Sequence, residues 1–289
     1  MTQPERACSF TCAADRLIGI LHPATETADV LVVIVVGGPQ YRIGAHRQFV
    51  DLARRLAADG WPVFRFDYRG MGDATGELGG FETVDADIRA AIDAGLAQSG
   101  ARRVVLWGLC DAASAIAFYA GSDPRVAGIV LANPWVRTET GAAQARLKSY
   151  YSRRLVSRDF LTKLARGRVD LPRAAGGVVA SLAAAVRRKI GLSHEAHDLP
   201  TRMAAGLARF AGNVLILLSD RDLTADEFRQ VAAEHDWRAR AFGKGRAHHQ
   251  TVTLARADHT FSQPGNPEAA AQATLRWLQS AICGDQKRS

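Results

Sequence analysis

The stretch Gly108-Leu109-Cys110-Asp111-Ala112 places a thiol between a branched apolar run, Arg103 to Trp107, and an alanine-rich segment, Ala112 to Ala120. A strand that turns sharply into a helix at one nucleophilic residue needs small residues two positions to either side, because strand and helix approach closely there. Gly108 and Ala112 meet that need. The Cys110 thiol then stands at a helix N-terminus, where the positive end of the helix dipole favours thiolate. The pentapeptide alone is a loose pattern, since free cysteines commonly serve as small buried hydrophobes.

Its partners decide the matter. In this design an acid and a histidine follow the nucleophile in that order along the chain. The run Asn213 to Leu218 is followed by Ser219-Asp220-Arg221-Asp222, and the run Thr251 to Leu254 by an approach to His259. His259 is assigned as the base and Asp222 as its orienting carboxylate. Asp220 is the rival acid, and either aspartate could be a turn residue. Acyl transfer also creates an oxyanion that wants two fixed donors. The N–H of Asp111, which follows the thiol, and that of Gly38, in Gly37-Gly38-Pro39, are the expected pair. Pro39 has no donor of its own and fixes φ in that turn.

These residues need a scaffold that brings them to one edge. Val30 to Val36, Pro62 to Phe66, Arg103 to Trp107, Val126 to Ala132, Asn213 to Leu218 and Thr251 to Leu254 read as buried strands. Helices are expected at His46 to Asp59, Phe81 to Gln98, Ala112 to Ala120, around Ala225 to Ala233, and at Pro267 to Ser280. Strands alternating with helices predict an α/β fold with a mostly parallel central sheet covered on both faces. Two weaker runs, Ala7 to Thr11 and Leu17 to Leu21, are expected as an antiparallel pair at the edge. Ligands of such sheets bind beyond the carboxyl ends of the strands, which is where Gly38, Cys110, Asp222 and His259 fall.

Five segments together carry a likeness that covers nearly the whole chain: GGPQYRIGAHRQF, RFDYRGMGDATGE, LWGLCDAASA, NPWVRTETG and DLTADEF. With these the chain resembles the α/β-hydrolase superfamily, and within it the first type of exosortase A system-associated hydrolases, proteins found beside bacterial exopolysaccharide and protein-sorting machinery. The resemblance implies the α/β-hydrolase fold with an inserted helical cap, and a Cys110, Asp222, His259 triad. Two departures from the superfamily pattern stand at the elbow, cysteine for serine and Ala112 for the second glycine; a third is Val36, where many relatives carry histidine. Asp67-Tyr68-Arg69-Gly70-Met71-Gly72 matches a superfamily turn, with Asp67 and Arg69 expected to tie down loops near the site.

Composition bounds the rest. The 289 residues, 47% hydrophobic, can enclose one large core plus an insertion. Residues 137 to 210 carry 15 Lys and Arg against 5 Asp and Glu, a balance of +10, which leaves −2 for the remainder of a chain whose net charge is +8. The predicted organisation is therefore a core, 1–136 and 211–289, interrupted by a basic helical cap, 137–210, with helices at Gln144 to Arg166 and Gly176 to Lys189. Charge confined to one segment argues against a nucleic-acid protein. It is read either as the solvated face of the cap or as a surface for anionic phospholipid or a phosphate-bearing carrier. Neither a signal segment nor a run of about 18 apolar residues is seen, so a cytoplasmic protein is expected. The four scattered cysteines fit reduced thiols, and no spacing suggests a metal or other cofactor.

Cysteine narrows the chemistry. A thiolate attacks carbonyl carbon well but also departs readily, so alkyl esters and amides tend to return to reactants. Thioesters, enol esters and lactones avoid this, and the elbow resembles that of dienelactone hydrolases in using cysteine. The expected activity is esterase or thioesterase on a small or carrier-linked acyl substrate. Acyl transfer to a non-water acceptor and a catalytically silent binding protein are the alternatives.

Overall fold

The computed structural model describes residues 4–25, 28–38, 40–136, 199–243 and 248–283. The chain opens with β1 (Arg6–Cys12), β2 (Asp15–His22), β3 (Val30–Val35), α1 (Gln48–Ala58) and β4 (Val63–Asp67). It continues through α2 (Asp85–Ser99), β5 (Arg103–Leu109), α3 (Asp111–Tyr119) and β6 (Val126–Ala132). After the undescribed stretch come α4 (Leu199–Arg209), β7 (Asn213–Ser219), α5 (Leu223–Ala233), α6 (His235–Phe242), β8 (His249–Leu254) and α7 (Asn266–Trp277).

The strands form one sheet in the order β1-β2-β4-β3-β5-β6-β7-β8. From β4 to β8 neighbours run parallel, while β2 is antiparallel to both β4 and β1. All six residues of β3, VLVVIV, are buried, as a strand covered on both faces requires. Register shows how the two faces are filled. Leu31 pairs with Val104 and Ile34 with Trp107, and three residues along a strand reverse the side, so Leu31 and Trp107 point to opposite layers. Gly95 of α2 comes so close to Leu31 that a Cβ would lie 2.6 Å from its Cδ2. On the other side the Trp107 ring meets Phe49 of α1 edge-on at 5.9 Å and its indole N–H donates to Thr274 Oγ1 of α7.

The expected edge pair forms, with Arg6 to Cys12 opposite Asp15 to Leu21. Some boundaries differ. The helix expected from His46 starts at Gln48, because His46 and Arg47 hold left-handed backbone, φ 41° and 68°, in a preceding turn. The helix expected from Phe81 starts at Asp85, after a single turn over Phe81–Thr83. Helix α6 has no counterpart in the expectations; its sequence HDWRARAF buries only Trp237 and Ala241, too sparse a stripe for a periodicity reading.

The predicted cap helices fall at 144–166 and 176–189, outside the described residues. The end of the predicted cap segment forms α4, which packs on α3: a Cβ at Gly206 would sit 2.1 Å from the Ala117 carbonyl oxygen, so glycine permits the approach. Among the described residues no helix is long and apolar enough to cross a membrane.

Candidate active site

β5 ends at Leu109 and α3 begins at Asp111, so Cys110 alone makes the turn, with φ 63° and ψ −124°. A non-glycine residue held at positive φ is strained, and persists only where its surroundings over-determine it. Here Cys110 N–H donates to Ala132 O at 2.9 Å, and its carbonyl accepts from Ala113 N and Trp135 N, both at 3.1 Å. A Cβ on Gly108 would lie 2.6 Å from Ile116 Cδ1 and 2.9 Å from the Ala112 carbonyl carbon. Ala112 is completely buried in the same contact. Both small residues are therefore required by the close crossing of β5 and α3.

Beyond β7, Asp222 is the N-cap of α5, its carboxylate accepting from Thr224 N and Ala225 N at 3.2 Å each. The same carboxylate accepts from His259 Nδ1–H at 2.9 Å. Asp222 is buried; Asp220, the rival, is exposed in the preceding turn. Burial pulls the His259 pKa down, but hydrogen bonds to Asp222 and Cys110, and the charges of both, more than offset this and raise it to about 10. The imidazole is thus hydrogen-bonded to the Asp222 carboxylate and close enough to the Cys110 thiol to feel it, and three residues from separate strand tips are brought together.

The loop after β3 behaves differently from the expectation. Gly38 N–H, expected to be open to a substrate oxygen, donates to Asp111 Oδ2 at 2.8 Å. Asp111 Oδ1 accepts from Ala112 N at 3.0 Å. The reason is packing: Gly37 has no Cβ, and one placed there would lie 2.2 Å from Asp111 Oδ1, so the carboxylate fills the space between the loop and the first turn of α3. Burial raises the Asp111 carboxyl pKa, opposed by the surrounding amides and by the charge of His259.

Asp67 and Arg69 hold neighbouring loops. Asp67, fully buried, accepts from Arg42 N at 2.7 Å and Asp73 N at 3.2 Å, and pairs with the Arg42 guanidinium. Arg69 forms a fork with Asp87 of α2, Nε to Oδ1 at 3.0 Å and Nη2 to Oδ2 at 2.8 Å.

Asn133 is the residue that the sequence reading missed. It follows β6 with φ 41° and is completely buried. Its Nδ2 donates to Ser219 Oγ and to His259 O, both at 3.0 Å, and its Oδ1 accepts from Ser219 N at 2.8 Å. One amide side chain thereby fastens the tip of β7 to the loop that carries His259. The available signal was a polar residue directly after an apolar strand at the carboxyl edge of the sheet. Among the described residues no group of His, Cys, Asp and Glu could hold a metal ion.

A mostly parallel sheet of this order, with an elbow after β5 and an aspartate and a histidine after β7 and β8, defines an α/β-hydrolase. The family model "Serine aminopeptidase, S33" matches residues 28–232, and the chain belongs to that family. No curated protein matches the sequence. Among solved structures the chain is similar to DcsB in complex with a substrate analogue, with 13% identity and TM-score 0.64, covering 96% of this chain and 99% of that one. It is similar to the Pyrococcus furiosus esterase Pf2001, with 13% identity and TM-score 0.63 over 96% and 93% of the two chains. Dienelactone hydrolase from Anabaena variabilis is similar at 14% identity and TM-score 0.62 over 97% and 99%. At such identities the likeness is one of fold.

Proposed function

We propose that this protein hydrolyses activated acyl compounds, namely esters, lactones or thioesters, through a Cys110–His259–Asp222 triad and an acyl-cysteine intermediate. The observation that carries the reading is the 2.9 Å contact of Asp222 with His259 on an imidazole whose other partner is the elbow thiol. The family is named for serine, and this chain sets a cysteine at the corresponding turn.

In this reaction the Cys110 thiolate attacks the carbonyl carbon, and the carbonyl π electrons move to oxygen, which the Asp111 N–H and a second amide stabilise. Collapse expels the leaving group, which takes a proton from His259 Nε2. A water then attacks the acyl-cysteine, His259 Nε2 accepts its proton, and collapse returns the thiolate and releases the carboxylic acid. Asp222 holds the imidazolium in place throughout. The thiolate is itself a good leaving group, so the first collapse goes forward only when the other group leaves at least as well.

The likeness to exosortase A system-associated hydrolases supports a setting in exopolysaccharide or sorting-linked metabolism, in the cytoplasm, with an acyl group on a small molecule or carrier. The basic composition of 137–210 supports contact with an anionic surface. The test is a substrate panel of equal acyl groups. The proposal expects thioester and activated ester to turn over and the alkyl amide to be inert; the opposite order overturns it. Salt-sensitive binding to vesicles containing anionic phospholipid is expected, and its absence contradicts the surface contact.

A further inference from the structure

Two polar groups beside the elbow stand in arrangements that the proposed reaction does not explain. Gly38 N–H, the natural second donor for an oxyanion, is taken by Asp111 Oδ2. Tyr68, the residue after β4, is 3% exposed and its hydroxyl has no hydrogen-bond partner among the described residues. A buried donor without an acceptor costs free energy and is rare in folded proteins. Burial, then the negative charge of Asp111 and that of Asp87, holds the Tyr68 phenol protonated, so it is a donor within electrostatic reach of the Asp111 carboxylate.

The surroundings of the two glycines differ in a telling way. Gly37 is hemmed in by Asp111 Oδ1, Leu109 O and Ala112 N, at 2.2, 2.7 and 3.0 Å from where a Cβ would be. At Gly38, φ +60°, the Asp111 carboxylate is, among the described residues and apart from the chain neighbours, the one group within 4 Å of that point, at 3.9 Å. The hydrogen bond to Asp111 Oδ2 is what occupies the Gly38 amide, so turning this one side chain frees that donor. An oxyanion and a carboxylate cannot share one amide, because two negative charges at hydrogen-bond distance repel strongly in a partly buried site.

We propose that Asp111 is a positioning residue that gates the oxyanion cradle, with its carboxylate on the Gly38 and Ala112 amides in the free protein and turned to the Tyr68 hydroxyl when a substrate carbonyl oxygen takes the Gly38 amide. The gate rests on the acyl-transfer reading of Cys110 and deepens it. Opening is repaid by a carbonyl oxygen that becomes an oxyanion, so the gate ties the free Gly38 amide to the acyl-transfer transition state. The orphan hydroxyl and the occupied amide are then two halves of one movement.

The experiment compares two reactions of Cys110, both read on its own peptide by mass spectrometry. Acylation by p-nitrophenyl acetate builds an oxyanion; alkylation by iodoacetamide does not. In Asp111→Ala the ratio of acylation to alkylation rates is expected to rise about tenfold, the scale of one hydrogen bond in the transition state. Tyr68→Phe, which removes only the hydroxyl, is expected to lower the ratio about fivefold in the wild-type background and by less than about twofold in Asp111→Ala, because the two residues act as a pair. Asp111→Asn keeps the shape and removes the charge, so a smaller rise is expected, and it serves if the alanine variant does not fold. An unchanged or lowered ratio in the folded Asp111 variants overturns the gate, as does a Tyr68→Phe effect that persists in full without Asp111. If wild-type Cys110 takes neither reagent, the acyl-transfer reading fails and the gate fails with it.

Discussion

Asp222 holds two things at once: its carboxylate closes the first turn of α5 through Thr224 N and Ala225 N and accepts from His259 Nδ1 at 2.9 Å. The two cap bonds hold the carboxylate in place beside the imidazole. Asparagine caps a helix about as well as aspartate but cannot stabilise an imidazolium by charge. Asp222→Asn is therefore expected to keep the helix cap but to lose the pairing with the imidazolium, so that it melts below the wild type at neutral pH while acyl turnover falls by about two to four powers of ten. Asp220→Asn, at an exposed turn, is expected to change turnover by less than about twofold. Equal effects of the two substitutions in a steady-state assay would contradict the assignment of the acid.

His259 carries the pH dependence. Its folded pKa, about 10, lies above the ordinary histidine value of 6.5. The pair energy is therefore complete below pH 6.5 and is lost as pH rises through about 10. The leaving group needs the same proton, so kcat/KM is expected to fall on an alkaline limb near pH 10. Cys110→Ala removes one of the two hydrogen-bond partners, so the imidazole should titrate at lower pH, which NMR of His259 would read directly. An imidazole that titrates at 6.5 in the wild type contradicts the geometry.

His22 works in the opposite direction. It is buried, accepts from Arg65 Nε at 2.9 Å, and is held to a pKa of about 4 by burial and then by the Arg65 charge, against the pull of Glu5. The unfolded chain takes up this proton near pH 6.5 while the folded one does not until about 4. Stability is thus expected to decline between those values, by at most about 1.4 kcal/mol per pH unit from this group. His22→Gln, which keeps an acceptor for Arg65, should flatten that part of a urea-unfolding series against pH. An unchanged slope would contradict the account.

Asn133→Ala removes a buried side chain that makes three hydrogen bonds and leaves Ser219 N–H without its acceptor. A stability loss of about 2 to 4 kcal/mol is expected in urea unfolding. Because the same amide holds the His259 carbonyl, kcat should also fall; full kcat in the folded variant would show that the loop is positioned by other contacts, such as His46 Nε2 with Thr260 O at 3.0 Å.

The parts of this molecule that were legible in the sequence are those governed by one local rule. Continuous branched apolar runs such as VLVVIV mark strands buried on both faces, and Gly108 and Ala112 around Cys110 mark a close strand-to-helix crossing, because only small residues fit there. Strand order and the choice of Asp222 over Asp220 depend on pairings across the sheet that a linear reading can only leave open. Asn133 was hidden because its partners, Ser219 and His259, are 86 and 126 residues away. The Gly38 donor was read as open because the reach of the Asp111 side chain depends on how the loop after β3 lies over α3, and nothing in the local sequence states that distance.

The central claim is that Cys110 carries the acyl group, and quenched-flow mixing with an acyl thioester followed by mass analysis tests it directly. The account predicts one acyl mass added to the Cys110 peptide within the first turnover, discharged on longer incubation and missing in Cys110→Ala. Turnover that survives in Cys110→Ala, or an acyl mass found on another residue of the wild-type protein with Cys110 unmodified, would contradict it.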